Sequence, residues 1–509
     1  MPDLLLRDVR VVPLDGADSA DPRRTTVEPT DLLLLDGTVA QVGPGIVARD
    51  GIPEVDGAGR WALPGLWDHH VHVAQWGLTR SRIDTAAATG VEHAVRIVRE
   101  AMDRQPVPRS GVVVGYGHRT ATWSEQPSVA ALDALTTAVP VVLISGDAHH
   151  GWLNTPALHL LDAPATTTVV EEWDWFAVYD RLAELPGARE VAEDGVAVAL
   201  RDAQTRGVVG VTDLEFGRPW EQWRQRKLDG MPLVRARVGV YPEGLDDVIA
   251  AGLRTGDLVT GTRGLVRLGP LKVISDGSLN TRTAWCCEPF HHAEGMADPH
   301  GAPNIDAAGL ADLVGRAHAA GLRCAVHAIG DAAVRQALEV FASTGAVGGI
   351  EHAQLVAESD LELWSRLPVR ASVQPAHLLD DVIAMERLWP DRTARTFPLR
   401  SLLDRGIEVA LGSDAPVSPL DPWLAMAAAV HRGPVDGESW HAEQALTVRE
   451  ALACSVDGQR LVPGARGDVV LLDDDPLAAA DRPTGEQAAT LLRTVVSATV
   501  VDGELVHGG

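Results

Sequence analysis

Apolar and polar positions alternate in three regimes along this chain. Over the first sixty residues the pattern has period two and is broken by Asp-Gly and Gly. The segments LLLRDVRVVPLDG, DLLLLDGTVAQVG and PEVDGAGRWALPG read as short strands joined by turns, because Asp-Gly readily adopts the positive φ of tight hairpins. The last forty residues, with GARGDVVLLDDDP and VVSATVVDGELVHGG, have the same character. In the middle, short apolar runs alternate with stretches of helical period, the pattern of parallel strands with helical crossovers. Eight such runs end near His72, Asp213, Tyr241, Asp276, His327, His352, Gln374 and Asp414.

The pattern predicts an α/β fold: a (β/α)8 TIM-type barrel, a discontinuous small β-sandwich domain from both termini, and a cap insertion after strand 1. Residues 1–60 form the N-terminal part of the sandwich and 61–440 the barrel. Residues 441–509 supply a closing helix and the rest of the sandwich. Termini that lie close together make such a split domain easy to build. Within the barrel, 80–195 is too long for a βα loop and carries its own strands, GVVVGYG and PVVLIS. It is expected to cap the barrel mouth.

Charge and composition exclude more than they assign. A net charge of −26 argues against nucleic acid or an anionic membrane as partner and leaves a small-molecule substrate, with homodimerisation open. Four cysteines, two of them adjacent at Cys286 and Cys287, do not make a disulfide framework. The N-terminus does not read as a signal peptide, and no apolar run is long enough to span a bilayer. A reducing, cytoplasmic setting is the expectation.

The candidate chemistry lies at the strand ends. WALPGLWDHHVHV places His70 and His72 at i and i+2, on one side of a strand, where two imidazoles can hold one metal ion. Asp68 precedes them and is placed to orient a ligand. His327 in CAVHAIGD and His352 in IEHAQ end two successive strands. Either one alone reads equally well as a hydrogen-bonded structural residue. Asp414 in ALGSDAP is both a good turn cap and a good acid for a metal and a proton. Lys272 in LGPLKVISDGS is a lysine inside an apolar strand. It either pairs with a carboxylate such as Asp276 or, with its pKa lowered by burial, reacts with CO2 to become an anionic carbamate able to bridge two metals.

Together these segments resemble the amidohydrolase superfamily, specifically amidohydrolase family 3, and within it the N-substituted formamide deformylase-like branch. The likeness runs nearly end to end. It is carried by LPGLWDHHVHV, SGDAHHGWLNTPAL, LKVISDGSLNTRTA, VHAIGDAAVRQALE, GIEHAQLV, SVQPAHLLDD and GSDAPVSPLDPWLAMAAAVHR. The resemblance implies His70, His72 and Asp414 on one divalent metal, with His327 and His352 on a second. Lys272 bridges them if carboxylated, and zinc is the leading metal. It implies catalytic roles for Asp414, Lys272 and His327. It also implies substrate contacts from Asp147, His149 and Trp152 of the cap, from Asp276 and Arg282, and from Gln374 and His377. Ala148, His150, Asn280 and Thr281 depart from the family pattern. The expected activity is hydrolysis of a C–N bond in an amide, N-substituted formamide or cyclic amide. The alternatives are deamination of a heteroaromatic amine and a catalytically silent metal-binding protein. Deamination is disfavoured because AIGD, not a His-x-x-Glu pattern, follows His327.

Overall fold

In the computed structural model the eight apolar runs lie side by side in one sheet whose neighbours are all parallel. The structure describes residues 3–15, 27–104, 107–118, 120, 123–146 and 150–508. The barrel strands are β1 (Leu66–Val71), β2 (Val208–Asp213), β3 (Arg235–Val240), β4 (Val266–Ile274), β5 (Cys324–Ala328), β6 (Gly348–His352), β7 (Val369–Val373) and β8 (Val409–Leu411). Closure of the ring falls just beyond the ends of β1 and β8. There the Asp414 N–H donates to the His70 carbonyl at 2.7 Å and the His72 N–H to the Ala415 carbonyl at 2.9 Å. The backbone of three residues singled out for chemistry therefore seals the barrel.

Period-two alternation sorts each strand into two faces. Leu271 and Val273 of β4, Cys324, Val326 and Ala328 of β5, Ile350 of β6, and Val369, Ala371 and Val373 of β7 join the apolar core packed against the helices. Lys272, His327, Glu351, Arg370 and Ser372 fall on the alternate positions and face the barrel axis. Helices between the strands carry ordinary boundary signals. The Asp306 carboxylate accepts the Gly309 N–H at 2.8 Å and caps helix Ala307–Ala319. Gly345, left-handed at φ 67, ends helix Asp331–Thr344.

Both ends of the chain join one sheet. Its order is Glu504–Gly508, Val496–Val501, Val469–Leu472, Trp61–Pro64, Leu4–Val11, Thr30–Leu35 and Thr38–Gly43, with Glu54–Asp56 beside Leu4–Val11. Leu63 faces Val470 across the antiparallel pairing that joins the N-terminal and C-terminal segments. Gly65 links this sheet to β1. A Cβ there would stand 2.3 Å from Val209, so the close approach requires glycine.

Residues Val73–Leu200 form a second compact unit. It holds a five-stranded sheet of Ile83–Asp84, Val113–His118, Val141–Ser145, His150–Leu153 and Val170–Glu171. Helix Val91–Arg104 buries Ala94 and Val98, four residues apart on one stripe. Among the described residues no helix is long and apolar enough to cross a membrane.

Candidate metal centre

The C-terminal ends of the barrel strands bring His70, His72, His352 and Asp414 together, and the first turn of helix His377–Leu388 adds His377. Asp414 Oδ1 lies 3.3 Å from His70 Nε2 and 3.5 Å from His72 Nε2, while Oδ2 lies 3.8 Å from His377 Nε2. His70, His72 and Asp414 make one triad, and His352, His377 and Asp414 a second, each with its donor atoms within 4.8 Å of one another. The His352 ring centre is 4.9 Å from that of His70 and 4.5 Å from that of His327. His327 completes neither triad.

The surroundings of each ligand fix its state. His70 Nδ1 is 2.7 Å from Glu351 Oε2, so the carboxylate accepts the Nδ1 proton and leaves Nε2 to face Asp414. Burial, with the nearby Lys272 charge, lowers the His70 pKa to about 4. Burial and the neighbouring imidazoles of His327 and His70 drive His352 well below its ordinary value. Burial alone would raise Asp414, but the imidazoles of His70, His72, His352 and His377 hold it well below the usual carboxylate range. At neutral pH His70 and His352 are thus neutral imidazoles beside an ionised Asp414 carboxylate.

That set suits a divalent cation such as zinc. Three buried ring nitrogens, His72 Nδ1, His352 Nδ1 and His377 Nε2, have no hydrogen-bond partner among the described residues, and the last lies 3.8 Å from Asp414. Each unsatisfied buried group costs about 1–3 kcal/mol, which a bound cation offsets when it takes a lone pair. Backbone strain gathers at the same place. His352, Ala353 and Asp414 sit at φ 72, 45 and 58, in the left-handed region that β-carbon sterics disfavour.

Neighbouring residues hold the ligands in place. Asp68 Oδ1 accepts the N–H groups of His70 and Ser413, both at 3.0 Å, tying the ends of β1 and β8 together. Burial pushes its pKa up to about 6, against those hydrogen bonds. Asp276 is fully buried, and its carboxylate accepts from His327 Nδ1 at 3.0 Å and from the N–H groups of Trp285 and Gly330 at 3.0 and 2.9 Å. Expected on the substrate, Asp276 is instead committed to orienting His327, whose Nε2 it leaves free. Lys272 is 2 % exposed and makes no hydrogen bond or ion pair among the described residues, so the pairing with Asp276 is not made. Burial lowers its pKa, while the charges of Glu351 and Asp414 oppose the shift.

The remaining expected contacts divide. Gln374 is buried beside the centre, its Nε2 3.5 Å from His70 Nδ1 and 3.3 Å from the Ser372 carbonyl. The Arg282 guanidinium donates to the His292 carbonyl at 3.1 Å. Trp152, expected to face substrate, is a core residue of the 73–200 unit: its indole is fully buried and donates to the Ser128 carbonyl at 2.7 Å. Asp147 and His149 lie outside the described residues. Sequence reasoning passed over Glu351, although a carboxylate between Ile350 and His352 in an apolar strand is itself a signal. It also passed over Phe216, which stacks on His72 at 5.8 Å.

The model of the amidohydrolase family matches residues 54–507. A Bacillus subtilis protein named as an amidohydrolase, YtcJ, is 26 % identical over 89 % of this chain and 90 % of its own length. The N-substituted formamide deformylase of Arthrobacter pascens is 24 % identical over 99 % of this chain and 98 % of its own. A metal-dependent hydrolase of Pyrococcus horikoshii shares the fold, with a TM-score of 0.77 and 24 % identity over 94 % of this chain and 99 % of its own.

Proposed function

The chain belongs to the amidohydrolase family, and from that premise we propose that it hydrolyses a C–N bond of a small amide, N-substituted formamide or cyclic amide. The observation that carries the reading is the convergence of the His70, His72, His352 and His377 imidazoles on the Asp414 carboxylate. His70, His72 and Asp414 would hold one divalent ion, most simply zinc, and His327 and His352 a second. A bound divalent ion lowers the pKa of water toward neutrality and polarises the scissile carbonyl.

The chain's own groups do the rest. Asp414, ionised at neutral pH, takes a proton from the attacking water and delivers it to the leaving nitrogen. Glu351 and Asp276 lock His70 and His327 in the tautomers that present Nε2. His327, its Nδ1 held by Asp276, would help to hold the ion that stabilises the oxyanion developing on the carbonyl oxygen. His377, 3.8 Å from Asp414, meets the substrate beside it. Lys272 would add CO2: the neutral amine, favoured by burial, bonds to the carbon and releases a proton, leaving an anionic carbamate whose oxygens would be available as metal ligands.

Elemental analysis of the purified protein and of Lys272→Ala tests this, followed by a panel of formamides and N-acyl amino acids. About two metal equivalents are expected in the wild type, falling toward one or none in the variant. Near-zero metal that zinc, iron or manganese with bicarbonate does not restore would overturn the reading.

A further inference from the structure

The interior of a (β/α)8 barrel is ordinarily filled by Val, Ile and Leu. Here a cavity of about 320 Å3 opens at the opposite end from the metal centre, among the starts of β5, β6 and β7. Small residues make the room. A Cβ on Gly348 would stand 1.9 Å from the Cys324 carbonyl oxygen, and one on Gly349 would stand 3.0 Å from Arg370 Cγ. The Arg370 stem therefore lies across Gly349, with its guanidinium in the cavity.

Six charged side chains line the space: Arg237, Arg323, Arg370, Glu351, Glu408 and Asp457. Three are already satisfied. Asp457 takes both guanidinium nitrogens of Arg237, at 2.7 and 2.6 Å, and Arg237 also lies 4.3 Å over the Trp67 ring. Glu351 is held by His70 at 2.7 Å. The side chains of Arg323, Arg370 and Glu408 have no hydrogen bond or ion pair among the described residues. Two guanidiniums without a hydrogen bond thus stand beside two ionised carboxylates, Glu351 and Glu408, and Arg370 is the one set inside. Burial lowers the Arg370 pKa, while Glu351 and Glu408 pull it up.

We propose that this cavity binds one small oxyanion, a carboxylate or a phosphate, with Arg370 as its anchor and Arg323 at its rim. A guanidinium offers parallel N–H donors that match both groups in a two-point contact. The volume admits a ligand of a few heavy atoms and excludes a peptide or nucleotide. The occupant would share a wall, Glu351, with the ligand shell of His70, yet the site is distinct from the metal centre and does not depend on the hydrolytic reading.

Calorimetric titration of the full chain with potassium acetate, and separately with potassium phosphate, tests the site. Wild type, Arg370→Met, Arg323→Gln and His72→Ala are compared, with thermal melts to confirm folding. Saturable binding of at least one anion is expected in the wild type, and the anion that saturates identifies the class. Arg370→Met is expected to weaken it by at least about 10-fold, and Arg323→Gln by about 3-fold with the interior untouched. His72→Ala is expected to leave it unchanged. If Arg370→Met does not fold, Arg323→Gln carries the decision. No saturable binding, binding indifferent to both arginines, or binding lost in His72→Ala would each overturn the proposal. The last outcome would move the anion to the metal centre.

Discussion

At one end of the barrel Asp414 faces three imidazoles at 3.3–3.8 Å, and three nearby ring nitrogens have no partner. At the other end Asp457 faces two arginines, Arg237 at 2.6 Å and Arg466 at 2.9 Å. Both carboxylates sit in a polar barrel interior. Around Asp457 the two bonds from Arg237, at 2.7 and 2.6 Å, are closed and charge-assisted, while Arg466 adds an ion pair without a completed hydrogen bond. Around Asp414 the imidazoles of His70, His72 and His377 approach without completing hydrogen bonds among the described residues. Unsatisfied polar atoms occur at both ends, so what separates them is the convergence of several imidazoles on one carboxylate.

Substitutions at the two ends should behave differently. Asp414→Ala is expected to lower kcat at least ~10³-fold while the chain stays folded by circular dichroism, since proton transfer and one metal ligand go together. Activity within tenfold of wild type would mean that this mouth is not the reaction centre. Glu351→Gln keeps the shape but weakens the acceptor of the His70 Nδ1 proton. Metal affinity, read by chelator competition, should fall roughly 10–100-fold. An unchanged affinity would reduce Glu351 to a packing residue.

Asp457→Asn should cost about 1–3 kcal/mol in urea unfolding and leave metal content alone, because Arg237 retains partial solvent. Lost metal in this variant would erase the distinction between the two ends. The smallest effect is the pH dependence. Burial would raise the Asp457 pKa, but Arg237 and Arg466 hold it well below the ordinary value. Its contribution is therefore complete above about pH 4 and lost as pH falls through the folded value. Acid titration of stability should be shallower in Asp457→Asn than in the wild type below pH 4, and parallel curves would remove this pair from the account.

The barrel was legible because most of its strands announce themselves over five or six residues. CAVHA, GGIEH and VRASV are short apolar runs with polar residues on alternate positions, and they form β5, β6 and β7. The residues that gather at Asp414 were legible for the same reason: a histidine or aspartate ending such a run lies at the C-terminal mouth. Partners were harder to read. Asp276 was expected to touch substrate, but its neighbours Trp285, Ile329 and Gly330 come from loops whose path no local pattern encodes. Trp152 carries a family motif, yet packing inside its own unit uses up its surface and its N–H.

By itself, then, the sequence determined the element types, the barrel class and the residues that stand at strand ends, since period and termination are properties of a few consecutive positions. Only the tertiary structure decided which nitrogens were satisfied and which were left open. His70 meets Glu351 across 281 residues of chain, and Ser413 meets Asp68 across 345. A hydrogen bond depends on distances of a few tenths of an ångström between segments that far apart, and only the closed barrel sets those distances.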